Sequence, residues 1–457
     1  MSLRERAGIV KTNVIMITMR AVATCAVLAA VAALGPIPPA QGQQTQGPGP
    51  QIPLVATPVS SSGPVRIVSW PTGVTDNGDH TWQPDLAYAV GGILASTSHA
   101  IAATANPMIY QHARIGVTAY HIPVDQPGTY FVDILTSEIE NQQPGQRRWN
   151  VDAEGQRVAT AVDVAYTAGQ YRAWHVMFSV PVTDGSLDLS IAAIKGQSSV
   201  SAVEVDYESA RTKPKSLLDD EFSGAAGQPP NPNIWSHDVG GRGWGNDMLE
   251  YDTARTRNSR LDGHGHLLLV AHREKYTGAD GVSTNWTSAR LKTIDHFTFT
   301  YGSAVARIRV PSGAGLWPAF WGLGDNFLKV GWPRCGEIDV LETRGERPSF
   351  VYGALHAATT KTTTWTKAEK DLRPTPISSG FHSYGLVWGP TGIALSFDSH
   401  VFLTMSKVDV APGDYWDFSH SFFLLLDLAV GGRWGGPPNS TTPSVAAMAV
   451  DFVRVTG

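Results

Sequence analysis

The stretch that most constrains this chain is residues 337–342, where three carboxylates are separated only by Ile, Val and Leu. Aliphatic and β-branched residues at this density predict a buried β-strand. Successive side chains of a strand alternate between its two faces, so Glu337 and Asp339 point the same way. Glu342 joins them only if the two residues before it form a β-bulge, a feature that is common beside active sites.

Three acids on one strand face repel one another and lose hydration unless the protein uses them. The alternative is an exposed face with solvated acids, but such faces usually mix both charge signs and hydroxyls. Retaining glycoside hydrolysis needs such a row, because it pairs an ionised nucleophile with a protonated carboxyl about 5–5.5 Å away. An intervening Asp can hydrogen-bond the nucleophile and help hold the two pKa values apart. The pattern therefore favours a retaining glycosidase.

The motif Glu-x-Asp-x-x-Glu resembles the signature of glycoside hydrolase family 16, in the bulged form of its laminarinase-like members. The resemblance implies that Glu337 is the nucleophile, Asp339 its assisting acid and Glu342 the acid/base. It extends over nearly all of residues 217–457, through blocks at 220–222, 244–251, 287–291, 315–321 and 424–434. The family fold implied for this region is a curved jelly-roll sandwich with a substrate cleft.

The same resemblance implies a set of substrate-binding residues around the acids. Aromatic rings can stack on sugar faces, and polar side chains can bind sugar hydroxyls. One position departs from the family pattern, since Asp427 stands where laminarinases usually carry Asn. For Arg290 the alternative is a pair with a surface acid, and Trp321 and Trp388 are expected to be core residues. The predicted substrate-binding residues are Trp317, Trp332, His356, Arg290, Asn246, Trp434 and Asp427.

Apolar runs punctuated by Gly, Pro, Asn and Asp predict an all-β chain with two β-sandwich domains. In the C-terminal domain, residues 217–457, no amphipathic helix is predicted, and the strands should form two packed antiparallel sheets. The strands predicted there are 267–272, 303–310, 337–342, 350–356, 382–388, 393–397, 422–430 and 446–455.

Residues 65–208 predict the N-terminal β-sandwich, with alternating half-buried strands at 129–135 and 187–191. The segment around Tyr110, Tyr120 and 127–130 resembles a malectin-type carbohydrate-binding domain. Tyr110, Tyr120 and Trp149 are candidates for stacking on sugars, with the core as the alternative for each.

Residues 1–42 predict a signal peptide, because basic residues precede an apolar run and a small-residue cleavage region. Residues 43–64, rich in Pro, Gln and Gly, predict a linker, and 209–216 a short connector. The protein is therefore expected to be secreted. The alternative is attachment to the cell envelope through an uncleaved N-terminal segment.

A net charge of −5 gives no reason to expect nucleic acid or an anionic membrane surface as a partner. The expected partner is a polysaccharide, and the protein is expected to be a monomer. Cys335 is the one cysteine outside the signal segment, so no disulfide is expected and this thiol should be a buried packing residue. Catalysis should need no cofactor. The family resemblance implies a possible structural Ca²⁺ held by Glu221, Asp451 and the carbonyl of Gly265, oxygen ligands that suit this ion.

The expected activity is endo-acting hydrolysis of β-1,3-glucan or mixed-linkage glucan by double displacement. A transglycosylase that remodels a cell-wall glucan uses the same carboxylates and remains an alternative. A non-catalytic glucan-binding protein on this fold would lack one of the two Glu residues, and this chain has both.

Overall fold

The computed structural model describes residues 56–360, 364–372 and 376–457. The predicted signal segment, 1–42, and the first part of the predicted linker, 43–55, lie outside the described residues. Within the described part of the chain, no helix has both the length and the apolar character needed to cross a membrane.

The first half of the described chain forms two six-stranded β-sheets. One has the strand order β2-β3-β1-β12-β6-β9; the other runs β11-β5-β10-β7-β8, with β4 paired to β5. Its elements are β1 Val65–Val68, β2 Val74–Thr75, β3 Thr81–Pro84, β4 Ala89–Ser96, α1 Pro107–Tyr110, β5 His112–Pro123, β6 Gly128–Thr136, β7 Arg148–Ala153, β8 Gln156–Val162, α2 Val164–Thr167, β9 Trp174–Val182, β10 Ser186–Lys195, β11 Ser199–Val200 and β12 Ala202–Ser209, with a 3₁₀ turn at Asp85–Ala87.

The second half forms a ten-stranded and a seven-stranded sheet plus a small hairpin. Its elements are β13 Ser216–Asp220, β14 Ser236–Asp238, β15 Glu250–Asp252, β16 Ser259–Leu261, β17 Leu267–His272, β18 Tyr276–Thr277, β19 Ser283–Thr284, β20 Trp286–Ser288, β21 Arg290–Lys292, β22 Gly302–Arg309, β23 Leu316–Gly324, α3 Phe327–Val330, β24 Glu337–Glu342, β25 Phe350–Ala358, β26 Thr364–Leu372, β27 His382–Trp388, β28 Gly392–Phe397, β29 His400–Ser406, β30 Phe422–Val430, α4 Gly432–Gly435 and β31 Val445–Thr456, with 3₁₀ turns at Gly243–Gly245, Ile377–Ser379 and Lys407–Asp409.

The all-β prediction and the eight strands predicted for the C-terminal half are confirmed, with bounds that shift by no more than a few residues. The seven-stranded sheet has the order β14-β21-β30-β23-β24-β25-β26, which puts the acid strand β24 near its middle. One continuous core, which includes Phe320, Ile338 and Leu386, lies between this sheet and the ten-stranded one. Trp388 belongs to that core, as predicted.

Strand β6 is buried on both faces, which corrects the prediction of a half-buried strand. Tyr130, Val132 and Ile134 point into the core of the N-terminal sandwich. On the opposite face, Phe131 packs with Ala394 of the C-terminal half. The periodicity of β6 is therefore that of a strand with two apolar faces, because a second domain covers the face that would otherwise meet water.

The end of the predicted linker belongs to the N-terminal sandwich, because Val59 is fully buried in its core. The amide of Val59 donates to the carbonyl of Pro123 at 2.8 Å. A β-branched apolar residue gains more from burial here than from remaining in an extended tether. The prediction of an unstructured linker up to residue 64 is therefore wrong for its last residues.

The interpretation that Tyr110, Tyr120 and Trp149 stack on sugars is also wrong. All three side chains are almost completely buried, and Tyr120 and Trp149 belong to the core of the sandwich. The Tyr110 hydroxyl donates to the carboxylate of Asp409, in the C-terminal half, at 3.0 Å. All three rings are therefore packing residues, which was the alternative that the sequence left open for them.

Candidate active site

The predicted bulge in β24 is present and turns all three carboxylates to one face. Asp339 lies opposite Ala354 and Glu342 opposite Tyr352, so two residues of β24 face a single residue of β25. Those two residues, Val340 and Leu341, are consecutive and are both fully buried in the core. Glu337, Asp339 and Glu342 therefore project from the opposite, outer face of the seven-stranded sheet.

Each carboxylate has a specific polar neighbour on this face. His356 Nε2 lies 3.1 Å from Asp339 Oδ2, and Trp317 Nε1 donates to Glu342 Oε1 at 2.9 Å. The indole of Trp332 hydrogen-bonds Glu337, and a further hydrogen bond joins the carboxyl groups of Glu337 and Asp339. The contact of His356 with Asp339 is diagonal across the two strands, because His356 is directly paired with Glu337, whose side chain lies on the same face as that of Asp339.

The pKa of each of the three carboxyls is raised, and burial is the largest cause in every case. Burial, together with the charge of Asp339, raises the pKa of Glu337 to about 8, while His356 and Trp332 act against that rise. Burial raises the pKa of Asp339 to about 7. Burial and the charges of Asp339 and Glu337 raise the pKa of Glu342 well above its usual range. The group therefore retains protons near neutral pH.

One donor from each of Glu337, Asp339 and His356 lies within 4.8 Å of the other two, a spacing that a metal ion can also use. In this structure Asp339 contacts His356 and shares a hydrogen bond with Glu337, and the two acids are the predicted nucleophile and its assisting acid. The roles of Glu337 and Asp339 in catalysis are a sufficient reason for the short distances between these three side chains.

Aromatic side chains flank the carboxylates on both sides. Next to Glu342, the rings of Trp317 and Trp434 are 5.0 Å apart between centroids, and Tyr352 meets Trp434 edge-on at 5.2 Å. Beside Glu337, the ring of Trp332 is 55% exposed, which leaves it open to a ligand. Trp317, Trp332, Trp434 and His356 thus surround the acids; their contacts with substrate stay predictions.

Asn246 is positioned through its backbone. Its carbonyl accepts from the amide of Arg433 at 2.8 Å, which ties its loop to the segment before Trp434. Gly432 lies between these parts with a φ of +83°, and a Cβ there would come 2.9 Å from the Asn246 carbonyl oxygen. Glycine is required at this close approach. A sugar contact by the Asn246 side chain stays a prediction.

Arg290 and Asp427 belong to a second charged group on the neighbouring strands of the same sheet. Trp321 Nε1 donates to Asp427 Oδ1 at 2.6 Å. The Arg290 guanidinium lies 4.7 Å from the centre of the Trp321 ring and 5.1 Å from that of Trp244. Its Nε also donates to Asp238 at 3.0 Å, and this acid is mostly buried rather than on the open surface.

Sequence reasoning missed two buried acids in this group, Glu250 and Asp252. Burial raises the pKa of Glu250 to about 8, and burial with the charge of Glu250 raises that of Asp252 well above its usual range. Trp244 Nε1 donates to Asp252 at 2.8 Å. The signal was present in the sequence, because Glu250 and Asp252 alternate with Tyr251 as do Glu337 and Asp339 with Ile338.

The calcium site implied by the family resemblance is not formed in this arrangement. Glu221 is paired with Arg454 at 2.5 Å, and Asp451 with Arg307. A cation at these carboxylates would meet two guanidinium groups. The residues as they stand therefore do not fit Ca²⁺, because two of the three predicted donors already neutralise arginines.

Cys335 is fully buried, and burial raises its pKa to about 12. A thiol with so high a pKa is not a nucleophile at neutral pH. The prediction that it is a packing residue is confirmed.

Replacing Asp427 with Asn is expected to move both limbs of the pH profile of kcat/KM to lower pH. The charge of Asp427 raises the pKa of Asp339, so its removal lets the coupled carboxyls ionise more easily. The amide still accepts from Trp321. Rates on a soluble glucan between pH 4 and 9 measure the shift, with Asp262→Asn, at an acid paired with His266, as control. Superimposed profiles would contradict the coupling.

The comparisons with known proteins agree with this site. Residues 244–451 match the family Glycosyl hydrolases family 16, and residues 71–211 match the Malectin domain. The Beta-glucanase of Rhodothermus marinus is 36% identical over 234 residues, which cover 50% of this chain and 80% of that protein. The Glucan endo-1,3-beta-glucosidase of Cryptopygus antarcticus is 37% identical over 235 residues, or 48% of this chain and 82% of that protein.

Among solved structures, the catalytic domain of an endo-1,3-beta-glucanase (laminarinase) from Thermotoga petrophila RKU-1 shares 34% identity. It aligns with 54% of this chain and 98% of its own, with a TM-score of 0.49.

A β-sandwich that presents two Glu carboxyls on one strand between aromatic rings has the residues that a glycoside hydrolase needs. The chain belongs to glycoside hydrolase family 16, with a malectin carbohydrate-binding domain before the catalytic domain.

Proposed function

We propose that this protein is a secreted, endo-acting β-1,3-glucanase that retains anomeric configuration. The observation that carries the proposal is the bulge in β24, which gathers Glu337, Asp339 and Glu342 on one face of the sheet. The name Beta-glucanase of one relative supports a β-glucan as substrate, and the name Glucan endo-1,3-beta-glucosidase of the other supports the β-1,3 linkage. Secretion rests on the sequence of residues 1–42.

In the proposed first step, a carboxylate oxygen of Glu337 attacks the anomeric carbon while Glu342 protonates the departing glycosidic oxygen. Glu342 suits this role because its pKa is raised well above the usual range. In the reactive form Glu337 is the anion, which the hydrogen bond from Trp332 stabilises. The hydrogen bond between the two carboxyls favours the proton on Glu337 before substrate binds, so this proton must pass to Asp339 before the attack. The products are a glycosyl ester on Glu337 and a shortened glucan chain.

In the second step, Glu342 is ionised and takes a proton from water, whose oxygen attacks the same anomeric carbon. The ester breaks, Glu337 leaves as the carboxylate, and the sugar regains its original configuration. Trp317 keeps Glu342 in place for both steps through the hydrogen bond at 2.9 Å. A sugar acceptor in place of water would give transglycosylation by the same residues.

The proposed substrate is tested by release of reducing ends from laminarin, mixed-linkage β-glucan and a β-galactan. We expect laminarin to be cleaved fastest, with internal cleavage that produces a ladder of oligosaccharides. Exclusive cleavage of the galactan would contradict the proposed linkage, and longer products formed from pure oligosaccharides would identify a transglycosylase.

Retention is expected because two Glu side chains on one strand leave their carboxyls roughly 5–6 Å apart, whereas an inverting pair needs about 6.5–9.5 Å for its water. Proton NMR of the reaction during its first minutes should show the β-anomer of the new reducing end before mutarotation. An initial α-anomer would contradict the roles of both Glu residues.

A further inference from the structure

A large cleft lies between the two domains, apart from the catalytic carboxylates. Its volume is about 840 Å³, within the usual range for a ligand site of about 300–1,000 Å³. The N-terminal domain contributes residues of β8, α2 and β9, and the catalytic domain contributes Ser399, His400 and Val401 at the turn from β28 to β29. Both domains therefore build the cleft.

The lining combines aromatic rings with aliphatic side chains. Tyr166 is 69% exposed, and its ring meets that of His400 across the domain boundary at 6.3 Å. Trp174 is half-buried at the start of β9, and Val158 and Ala159 lie along β8. Rings and aliphatic groups of this kind pack against the C–H faces of sugars, whose hydroxyls then point to polar edges.

Polar groups are available at those edges. In the described part of the chain, β8 and β9 are the last strands in the orders of their two sheets, so each directs one row of backbone groups outward. Arg148 is exposed at the cleft, and Ser399 is exposed at the turn. The one lining carboxylate, Asp163, already accepts from the amides of Gly145 and Tyr166.

Those two hydrogen bonds also fix the conformation of one wall of the cleft. Asp163 caps α2 and holds Gly145 at 2.6 Å and Tyr166 at 3.0 Å, so the exposed ring projects from a fixed turn. The amides satisfy the Asp163 carboxylate, and the cationic Arg148 offsets its charge at the same cleft. The lining therefore favours a neutral, polyhydroxylated ligand that can stack on the rings and hydrogen-bond at the polar edges.

We propose that this interdomain cleft is a second, non-catalytic binding site for a β-glucan chain, formed jointly by the malectin domain and the catalytic domain. The inference rests on the proposed function for the identity of the glucan. The site keeps the enzyme on a long polysaccharide between cleavage events. Short oligosaccharides bind only at the catalytic site, so the cleft does not affect their hydrolysis.

The test compares Tyr166→Ala with Ile93→Ala in the full chain. Ile93 is 71% exposed on β4 of the same domain and is not among the residues that line the cleft. Affinity electrophoresis through laminarin, mixed-linkage glucan or starch measures binding. We expect Tyr166→Ala to weaken binding to one β-glucan by roughly tenfold, the order of a lost ring contact, and Ile93→Ala to leave it unchanged.

Activity provides the second readout. With Tyr166→Ala we expect slower hydrolysis of long, poorly soluble β-1,3-glucan and an unchanged rate on a laminari-tetrasaccharide. His400→Ala should weaken polysaccharide binding as well, because its ring also lines the cleft. Since this ring comes from the catalytic domain, the variant tests whether both domains form the site. Equal retardation of the unchanged protein and Tyr166→Ala overturns the proposal, as does an equal loss on short and long substrates. Unchanged binding by His400→Ala overturns the joint site.

The experiments give a different result if the proposed function is wrong than if the proposed cleft site is wrong. If the protein cleaves no β-1,3-glucan, the gels still report whether Tyr166 binds mixed-linkage glucan or starch. Binding to starch alone overturns the β-glucan cleft, whatever the catalytic activity proves to be.

Discussion

Replacing Glu337 with Gln is expected to lower the rate of glucan hydrolysis by at least about 10⁴-fold, the scale seen when an enzyme loses its nucleophile. The amide keeps the shape of the side chain but cannot form the glycosyl ester. Binding of laminarin should be preserved, because Trp332 and the other rings around the site are unchanged. Initial rates and affinity electrophoresis of the same preparation measure both properties.

The matched control is Glu154→Gln, at a carboxyl in the turn between β7 and β8 of the other domain. It should leave hydrolysis and binding unaltered. Hydrolysis by Glu337→Gln at the rate of the unchanged protein would remove Glu337 from the mechanism.

Azide distinguishes the nucleophile from the acid/base. In Glu337→Gly, azide can enter the space of the lost carboxylate, and it should attack an activated β-glucoside to give the α-glycosyl azide. In Glu342→Gly, the ester on Glu337 still forms from a substrate with a good leaving group, so azide should attack the ester and give the β-azide. The opposite pair of products would exchange the two roles.

The second large effect concerns the buried ion group that joins the two domains. His175 Nε2 lies 2.7 Å from Asp409, and its Nδ1 lies 2.9 Å from Asp133. Tyr110 also donates to Asp409. All four side chains are almost fully buried. The imidazolium is thus held between a carboxylate of its own domain and one of the catalytic domain.

His175→Ala is expected to lower the free energy of unfolding by about 3–5 kcal/mol, because it leaves two buried carboxylates without their cation. The control is His121→Ala, which removes an exposed pair with Asp188 and should cost about 1 kcal/mol or less. Urea unfolding followed by tryptophan fluorescence compares them. Equal losses in the two variants would contradict a stabilising role for the buried group.

The contribution of His175 should also depend on pH. Burial alone would lower its pKa, but Asp133 and Asp409 raise it to about 10. Because the folded-state pKa exceeds the unfolded value of about 6.5, the stabilisation is complete below about pH 6.5 and is lost as the pH rises through 10. The difference between His175→Ala and the unchanged protein should shrink over this range.

Much of the catalytic site could be predicted from the sequence because its chemistry lies on one short strand. Side-chain alternation places Glu337 and Asp339 together, and the bulge needed for Glu342 follows from the spacing itself. Strands such as β17, β27 and β30 were predicted with the observed bounds. Their apolar runs end at turn residues, and both signals are local.

The features that the sequence did not reveal depend on contacts between distant segments. For Tyr110 the sequence left sugar stacking and core packing open, and its burial against Asp409, 299 residues along the chain, decides for packing. Glu221 and Asp451 suggested a calcium site, but Arg454 and Arg307 occupy their carboxylates. In each case the composition of the segment was compatible with either role.

By itself, the sequence determined the all-β fold class, the acid strand and the orientation of its carboxylates, because strand periodicity acts over a few residues. Only the tertiary structure decided that both faces of β6 are covered, where Val59 packs, and that His175 meets Asp409 across 234 residues of chain. It also decided that Tyr166 and His400 line one cleft. Burial, ion pairing and cleft formation depend on which surfaces meet, and residue order does not specify this locally.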